Sequence, residues 1–310
     1  MVEELDLTNP RTLRALLQRH GMRPLKSFGQ HFLVDRGVLT RIVAAAALEP
    51  TDSVLEVGAG TGVLTRELAR RAGRVVAVEL ERSMLRLLAE TTAPFTNVEI
   101  VAQNLLTVEP QALFGRQPYK LVANLPYYIT APTFRHFLES EHPPSLIVVM
   151  IQYEVAQRIV AAPGDLSLLG VSVQFFGRPQ LIARIPARAF YPPPRVDSAI
   201  VRVEVQPRMT LTPVERASFF RLVQAGFAER RKQLHNALTR GLGLPAETVL
   251  TWLRQAGIAP ERRAETLSLD EWLQLWRTLP SGASGRSRSE ETVTPEAPSF
   301  GPSQPAGPQP

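Results

Sequence analysis

Asn124-Leu125-Pro126-Tyr127 is the segment of this 310-residue chain whose side chains most readily make a reaction centre. The N6 amine of adenine is a poor nucleophile, because its lone pair is delocalised into the ring. An Asn amide oxygen and a neighbouring backbone carbonyl, here that of Leu125, can each accept one N–H of such an amine and favour a lone pair pointed at a methyl donor. Pro126 rigidifies the turn and fixes the carbonyl direction. Tyr127 offers a flat face on which an extruded base can stack. Chemistry of this kind needs no general base of special pKa, so its rate rests on positioning and electrostatics. Asn and Pro are also common in plain strand-end turns, so the surroundings decide between the two readings.

Upstream lies Glu56-Val57-Gly58-Ala59-Gly60-Thr61-Gly62. Its G-x-G-x-G spacing differs from the G-x-G-x-x-G of dinucleotide folds, which seat a pyrophosphate on a helix N-terminus. S-adenosylmethionine has no pyrophosphate; its methionine moiety and ribose would lie across the turn, along Gly58 and Gly60. Glu79, at the end of the next strand, can accept hydrogen bonds from both ribose hydroxyls, although alone it also reads as a helix-capping surface acid. An NAD oxidoreductase would use such an acid in the same way, but the glycine spacing disfavours that class. Later comes Phe190-Tyr191-Pro192-Pro193-Pro194-Arg195. A rigid proline run there presents Phe190 as the second face of a base sandwich, or else serves as a polyproline linker. The catalytic set expected is therefore Asn124, Leu125, Tyr127 and Phe190.

These residues must be positioned by elements. Short apolar runs at 53–57, 74–79, 97–102, 120–123 and 146–151 alternate with helical patterns at 61–72, 82–90 and from 151 to 160. Such alternation predicts an α/β, Rossmann-like domain with a parallel sheet covered by helices on both faces. Asn124 then stands at the C-terminal edge of a strand, where such sheets bind ligands. Late strands are expected at 171–176, 180–185 and 199–205. Ahead of the alternation, a helix capped by Thr8 or Asn9 ends at Gly21, and Asp35 starts an apolar helix through Ala47. From Thr212 the pattern becomes helical, with Phe219, Phe220, Val223 and Phe227 on one stripe of a helix over 213–240, then helices over 245–256 and 269–279. The organisation expected is a catalytic domain over 1–205, a small all-helical domain over 206–280 and a tail over 281–310. The tail is rich in Pro, Ser and Gly with Phe300 its one aromatic, and is expected to be disordered.

The net charge of +6 points to a polyanionic partner, most simply nucleic acid. The chain has no cysteine, which excludes disulfides and thiolate metal sites. No metal site is expected, and a reducing cytoplasm is the expected compartment. Residues 1–10 carry acids and no apolar core of a signal peptide, and no run of 18 apolar residues suggests a membrane span.

With these segments assembled, the chain resembles the ribosomal RNA small-subunit adenine N6,N6-dimethyltransferases of the KsgA type. The resemblance covers about residues 20–280. It is carried by Lys26-Ser27-Phe28-Gly29-Gln30-His31-Phe32-Leu33-Val34-Asp35, by 56–62 and 124–127, by Phe190 through Ser198, and by Phe227 through Leu238, a segment resembling the family's helical domain. It implies transfer of four methyl groups from S-adenosylmethionine to two adjacent adenosines near the 3′ end of small-subunit RNA, within a pre-assembled particle, by a monomer. It further implies that His31 and Leu33 contact the cofactor through backbone atoms, that Gly58 lines its methionine, Glu79 its ribose and Asn104 its adenine, and that Asn124 lies at the reacting centre beside the cofactor. Arg195 and the triplet Arg230-Arg231-Lys232, read as helical, are expected to contact RNA. Asn104 stands where the family usually has Asp; its amide oxygen is expected to accept from the adenine amine. Tyr153 replaces a usual Lys, and Leu166-Ser167 a usual Tyr-Gly. A sister family that methylates large-subunit RNA, and a non-catalytic RNA-binding factor on the same fold, are the competing readings.

Overall fold

The computed structural model describes residues 5–24, 30–229 and 231–280. Helix α1 (Pro10–Arg19) begins where Asn9 accepts from Arg11 N at 2.9 Å, with Pro10 in the first turn, and Gly21 at φ +66° follows its end. A two-residue strand β1 (Phe32–Leu33) leads into α2 (Arg36–Ala46), capped by Asp35, which accepts from Val38 N at 3.0 Å. Strand and helix then alternate: β2 (Ser53–Val57), α3 (Val63–Ala69), β3 (Arg74–Glu79), α4 (Arg82–Thr92), β4 (Val98–Ala102), α5 (Pro110–Phe114), β5 (Lys120–Asn124), α6 (Thr130–Leu138), β6 (Leu146–Gln152) and α7 (Tyr153–Ile159). The central strands are buried along nearly their whole length, as the apolar runs require when helices cover both faces.

The next stretch differs from expectation. Residues 171–176 belong to a helix, α8 (Leu168–Phe176), not a strand. Ser167 caps it by accepting from Gly170 N at 3.0 Å, and its β-branched and aromatic residues are helical because Val171, Val173, Phe175 and Phe176 are all buried in the core. Burial on several sides outweighs their modest strand preference. Strand β7 (Gly177–Ile185), the short β8 (Phe190–Tyr191) and β9 (Ser198–Val205) follow.

Seven strands form one sheet in the order β4-β3-β2-β5-β6-β9-β7. The first five are parallel, but β9 runs antiparallel between β6 and β7, so the sheet is mixed rather than wholly parallel. The connection from β7 to β9 is a hairpin-like return, which dictates antiparallel pairing. The inner half of that return, β8, pairs with β1 outside the main sheet, Phe32 opposite Tyr191 and Leu33 opposite Phe190. This ribbon brings the segment after residue 30 and the proline-rich segment to the same sheet edge.

Four helices complete the described chain: α9 (Pro213–Phe227), α10 (Leu234–Leu242), α11 (Ala246–Gln255) and α12 (Leu269–Arg277). Thr212 with Glu215, and Ser268 with Glu271, form reciprocal capping boxes at the starts of α9 and α12. The helix expected over 213–240 is interrupted. Leu234 N donates to Arg262 O at 2.7 Å, so the chain must leave the α9 axis to meet the loop before α12. Phe219 and Phe220 of α9 pack on Phe175 and Phe176 of α8 with ring centroids 5.1–5.8 Å apart, making one apolar core continuous from the sheet into the helices. The tail over 281–310, expected to be disordered, lies outside the described residues.

Gly226 of α9 faces the fully buried Trp272 of α12, and a Cβ at that position would overlap Trp272 Cη2. Alanine is the better helix former by about 1 kcal/mol, but overpacking against a ring that has nowhere to move costs about 1–3 kcal/mol. Gly226→Ala is therefore expected to lower unfolding free energy in urea titration; a gain in stability would show that Trp272 is not held where it is described.

Candidate functional site

Strands β2, β3, β4 and β5 end at one edge of the sheet, where Glu79 and Asn124 are the last residues of β3 and β5 and the turns after β2 and β4 carry Gly58 and Asn104. There a cavity of about 560 Å³ is lined by His31, Leu33, Gly58, Gly60, Glu79, Asn104, Asn124, Leu125, Tyr127 and Phe190 together. All ten residues expected at the catalytic and cofactor sites thus line one cavity, although they are spread over some 160 positions of sequence.

The glycine turn is shaped by backbone geometry. Gly58, Gly60 and Gly62 have φ of +72°, +54° and +81°, the region that favours glycine. Gly58 N and Ala59 N both donate to Val78 O, at 2.9 and 3.2 Å, which ties the turn to β3. Gly60 N donates to Glu79 Oε2 at 2.8 Å, while Glu79 Oε1 accepts from Leu80 N and Glu81 N at 2.8 and 3.0 Å. Three backbone N–H groups therefore orient the Glu79 carboxylate, and Oε2, with one such bond, retains capacity to accept from the cavity.

Asn124 ends β5 with its side chain held from the opposite wall. Its Nδ2 donates to His31 O at 3.3 Å. Since the carbonyl can only accept, the amide must turn its nitrogen there, and Oδ1 is left as the acceptor for the cavity. His31 is itself placed by its ring Nδ1 donating to Pro192 O at 2.7 Å and by stacking on Tyr127, ring centroids 6.0 Å apart. The Tyr127 hydroxyl bonds Ser198 Oγ at 2.8 Å, and burial holds its pKa above the ordinary tyrosine value. Leu125 N donates to Met150 O at 3.1 Å, so the turn after β5 stays anchored to β6. Phe190, paired with Leu33 in the β1–β8 ribbon, is buried in the core and reaches the cavity wall from there.

Asn104 Oδ1 accepts from Leu106 N at 3.0 Å, capping the 3₁₀ turn Leu105–Thr107, and an amide oxygen with one such bond keeps a second lone pair. Sequence reasoning gave no role to Glu56, which heads the glycine run. Its side chain is 2% exposed and lines the cavity, and its Oε2 has no hydrogen-bond partner. Burial, with the Glu79 charge adding to it, pushes its pKa up to about 8. Only its place before the first glycine could have drawn attention to it. Tyr128, 64% exposed, was also passed over beside Tyr127.

Of the residues expected to meet RNA, Arg195 is exposed and does not line the cavity. Arg231 and Lys232 are exposed in the turn between α9 and α10 rather than on a helix, because the chain breaks there to reach the Arg262 carbonyl. Arg230 lies outside the described residues. A second cleft of about 830 Å³, which shares Tyr127 and Tyr128 with the cavity, opens between the sheet domain and α9 and is lined by Arg135, Arg158, Arg216 and Arg221. These four were not singled out from the sequence, where they are scattered singly. Tyr153 lies under Arg184, whose Cζ is 4.5 Å from the ring centroid and which also pairs with Asp197 at 2.8 Å. Leu166 is a core residue and Ser167 the cap of α8, which accounts for that dipeptide. Among the described residues, no group of three or more His, Cys, Asp or Glu could hold a metal ion, and no helix is long and apolar enough to cross a membrane.

The family model described as ribosomal RNA adenine dimethylase matches residues 22–280. A ribosomal RNA small subunit methyltransferase A of Dehalococcoides mccartyi is 50% identical over 263 residues, covering 84% of this chain and 90% of the relative. The protein of the same name from Pelotomaculum thermopropionicum is 44% identical over 282 residues, covering 87% and 96%. Among solved structures, a dimethyladenosine transferase from Plasmodium falciparum superposes with a TM-score of 0.69 at 25% identity over 79% of this chain and 96% of that one. The 23S rRNA methyltransferase ErmE gives 0.65 at 29% identity, covering 80% and 99%.

The buried Glu56 makes stability depend on pH. Its folded pKa is raised to about 8 from an ordinary 4.5, so between those values the folded chain holds a proton that the unfolded chain has released. Stability must then fall as pH rises through that window, by at most about 1.4 kcal/mol per pH unit from this group. Thermal melts of wild type and Glu56→Gln from pH 5 to 8 are expected to converge at the acid end and diverge toward pH 8, the Gln protein being the more stable there. Parallel curves would mean that Glu56 is ionised in the fold.

Proposed function

Because the chain belongs to the ribosomal RNA adenine dimethylase family, we propose that it dimethylates N6 of two adjacent adenosines near the 3′ end of small-subunit ribosomal RNA, with S-adenosylmethionine as methyl donor, during small-subunit biogenesis. The observation that supports this reading best is the Asn124 amide, whose nitrogen is tied to the His31 carbonyl and whose oxygen is thereby left to accept.

S-adenosylmethionine fits the residues present. It is a cation with a ribose and an amino-acid end, and the cavity offers the Glu79 carboxylate, a buried Glu56 carboxyl whose Oε2 has no hydrogen-bond partner, and a glycine turn with no Cβ to block close approach. His31 and Leu33 would hold it through backbone atoms, Gly58 and Gly60 would line its methionine, Glu79 its ribose and Asn104 its adenine. When bound, it supplies an electrophilic methyl group on sulfur.

The chain's own residues then act on the incoming base. Asn124 Oδ1 and the Leu125 carbonyl accept the two N6–H groups, which holds the amine in place and directs its lone pair. Tyr127, its ring set by His31 and Ser198, stacks on the base, and Phe190 forms the second wall. The buried Leu125 and the Met150 carbonyl keep the acceptors from drifting, so the barrier is lowered by placement rather than by acid–base catalysis. The proton leaves after methyl transfer.

We read 1–205 as the catalytic domain and 206–280 as the helical domain that meets the particle. Arg195, Arg230, Arg231 and Lys232 would contact RNA phosphates of a pre-assembled small subunit, and the chain would work as a monomer in the cytoplasm. The likeness to ErmE leaves large-subunit RNA as the alternative substrate, and mapping of methylated adenosines separates the two. Incubation with under-methylated small subunits should place dimethyladenosine at two adjacent positions near the RNA 3′ end; modification of large-subunit RNA alone would refute the reading.

Two variants test the parts. Asn124→Ala should lower turnover by about 10²–10³, the range for losing one preorganised hydrogen-bonding group, while calorimetric cofactor affinity stays within about threefold; near-normal turnover would end the assignment. Arg231→Ala with Lys232→Ala should weaken particle binding and flatten its salt dependence by up to about one log unit per lost phosphate contact, whereas an unchanged slope would remove these residues from the interface.

A further inference from the structure

We propose that Tyr128 and Arg216 receive the nucleotide next to the adenosine being methylated, the Tyr128 ring against its base and the Arg216 guanidinium against its phosphate, in the cleft beside the cofactor cavity. This rests on the reading of the chain as a methyltransferase of two adjacent adenosines, and it gives the second member of the pair a place.

The fold treats two consecutive tyrosines of one 3₁₀ turn, Tyr127–Ile129, differently. Tyr127 is locked, its hydroxyl on Ser198 Oγ at 2.8 Å and its ring stacked on His31. The Tyr128 side chain has no hydrogen bond or ring contact among the described residues and is 64% exposed. The turn beneath it is nonetheless fixed. Ile129 N donates to Pro126 O and Thr130 Oγ1 donates to Tyr127 O, both at 3.2 Å. Tyr128 is thus a flat apolar face held out on a rigid support, which suits stacking.

A singly exposed aromatic residue is ordinary, but the place of this one is not. Tyr127 and Tyr128 are the residues common to the walls of the cofactor cavity and of the cleft of about 830 Å³. A strand whose adenosine is extruded onto Tyr127 has its next base one phosphodiester away. The aromatic face one residue along the turn, with its Cα about 3.8 Å from that of Tyr127, is Tyr128.

The cleft carries charge suited to that strand. Arg135, Arg158, Arg216 and Arg221 line it against a single acid, Glu139. Arg135 already meets Glu139 at 3.5 Å, and Arg158 is paired with Glu154. Arg216 of α9 is half-buried and its side chain has no hydrogen bond or ion pair among the described residues. Phe220, one turn along the same helix, adds apolar wall beside it. A guanidinium between apolar walls matches a phosphate, which it can meet with two parallel N–H bonds. An apolar cleft alone would suit a protein helix equally; four arginines against one acid favour a polyanion. Stacking accepts any base, so the subsite holds the neighbour whether or not it is already methylated.

The test uses small subunits reconstituted with under-methylated RNA in which each of the two adjacent adenosines is replaced in turn by an abasic riboside. The kcat/KM for methylating the remaining adenosine is measured with wild type, Tyr128→Ala and Tyr128→Phe. On intact particles Tyr128→Ala is expected to lower kcat/KM by about fivefold to a hundredfold, the range for losing one base–aromatic stack, and Tyr128→Phe to restore it, since the ring suffices. At least one abasic replacement should lower the wild-type value comparably and leave Tyr128→Ala little changed. Arg216→Gln should flatten the salt dependence of particle binding by up to about one log unit. Losses that multiply when Tyr128→Ala meets the abasic particle, a Phe variant as slow as Ala, or an unchanged Tyr128→Ala would each overturn the inference while leaving the methylation reading in place. No methylation of intact particles by wild type would overturn both.

Discussion

The hydrogen bond from Asn124 Nδ2 to the His31 carbonyl determines which way the reactive amide faces, and most of the fold contributes to making it. A side-chain amide free to flip would offer an acceptor and a donor alternately, and the donor would repel an incoming amine. Holding the nitrogen removes that ambiguity. The carbonyl that holds it belongs to a short segment positioned by the β1–β8 ribbon, by the His31 ring on Pro192 O, and by the stack on Tyr127. Tyr127 is fixed in turn by Ser198, at the start of the antiparallel strand β9. The unexpected antiparallel insertion is thus what returns the chain to the reaction centre.

The opposite wall is an electrostatic counterpart. Backbone N–H groups orient Glu79, and Glu56 is buried close enough for the Glu79 charge to disfavour its ionisation. The Glu79 charge that disfavours ionisation of Glu56 would be met by a cationic ligand, and the glycine turn gives it the space to approach.

What was legible in the sequence follows from range of interaction. The glycine run, Glu79 and the Asn124–Tyr127 turn are local signals at strand ends, and the strands that carry them are buried apolar runs, so the sheet edge could be read, whereas His31, Leu33 and Asn104 come only from the family resemblance and Phe190 from the proline run. Other features are set by distant partners. Residues 171–176 look like a strand by composition but are helical because they are buried between the sheet and α9. The break after Phe227 depends on a carbonyl at Arg262, far along the chain. Glu56 is functional in appearance only through its burial and its unpartnered oxygen. That Asn104 also caps the turn two residues on is not revealed by the identity of the residue.

The most direct test of the account is a crystal structure with S-adenosylhomocysteine and adenosine monophosphate bound together. The account predicts N6 of the monophosphate within hydrogen-bond distance of Asn124 Oδ1 and of the Leu125 carbonyl, with Asn124 Nδ2 still on the His31 carbonyl and the base stacked on Tyr127. A base bound in this cavity with its amine away from Asn124, or an Asn124 side chain turned off the His31 carbonyl, would contradict it.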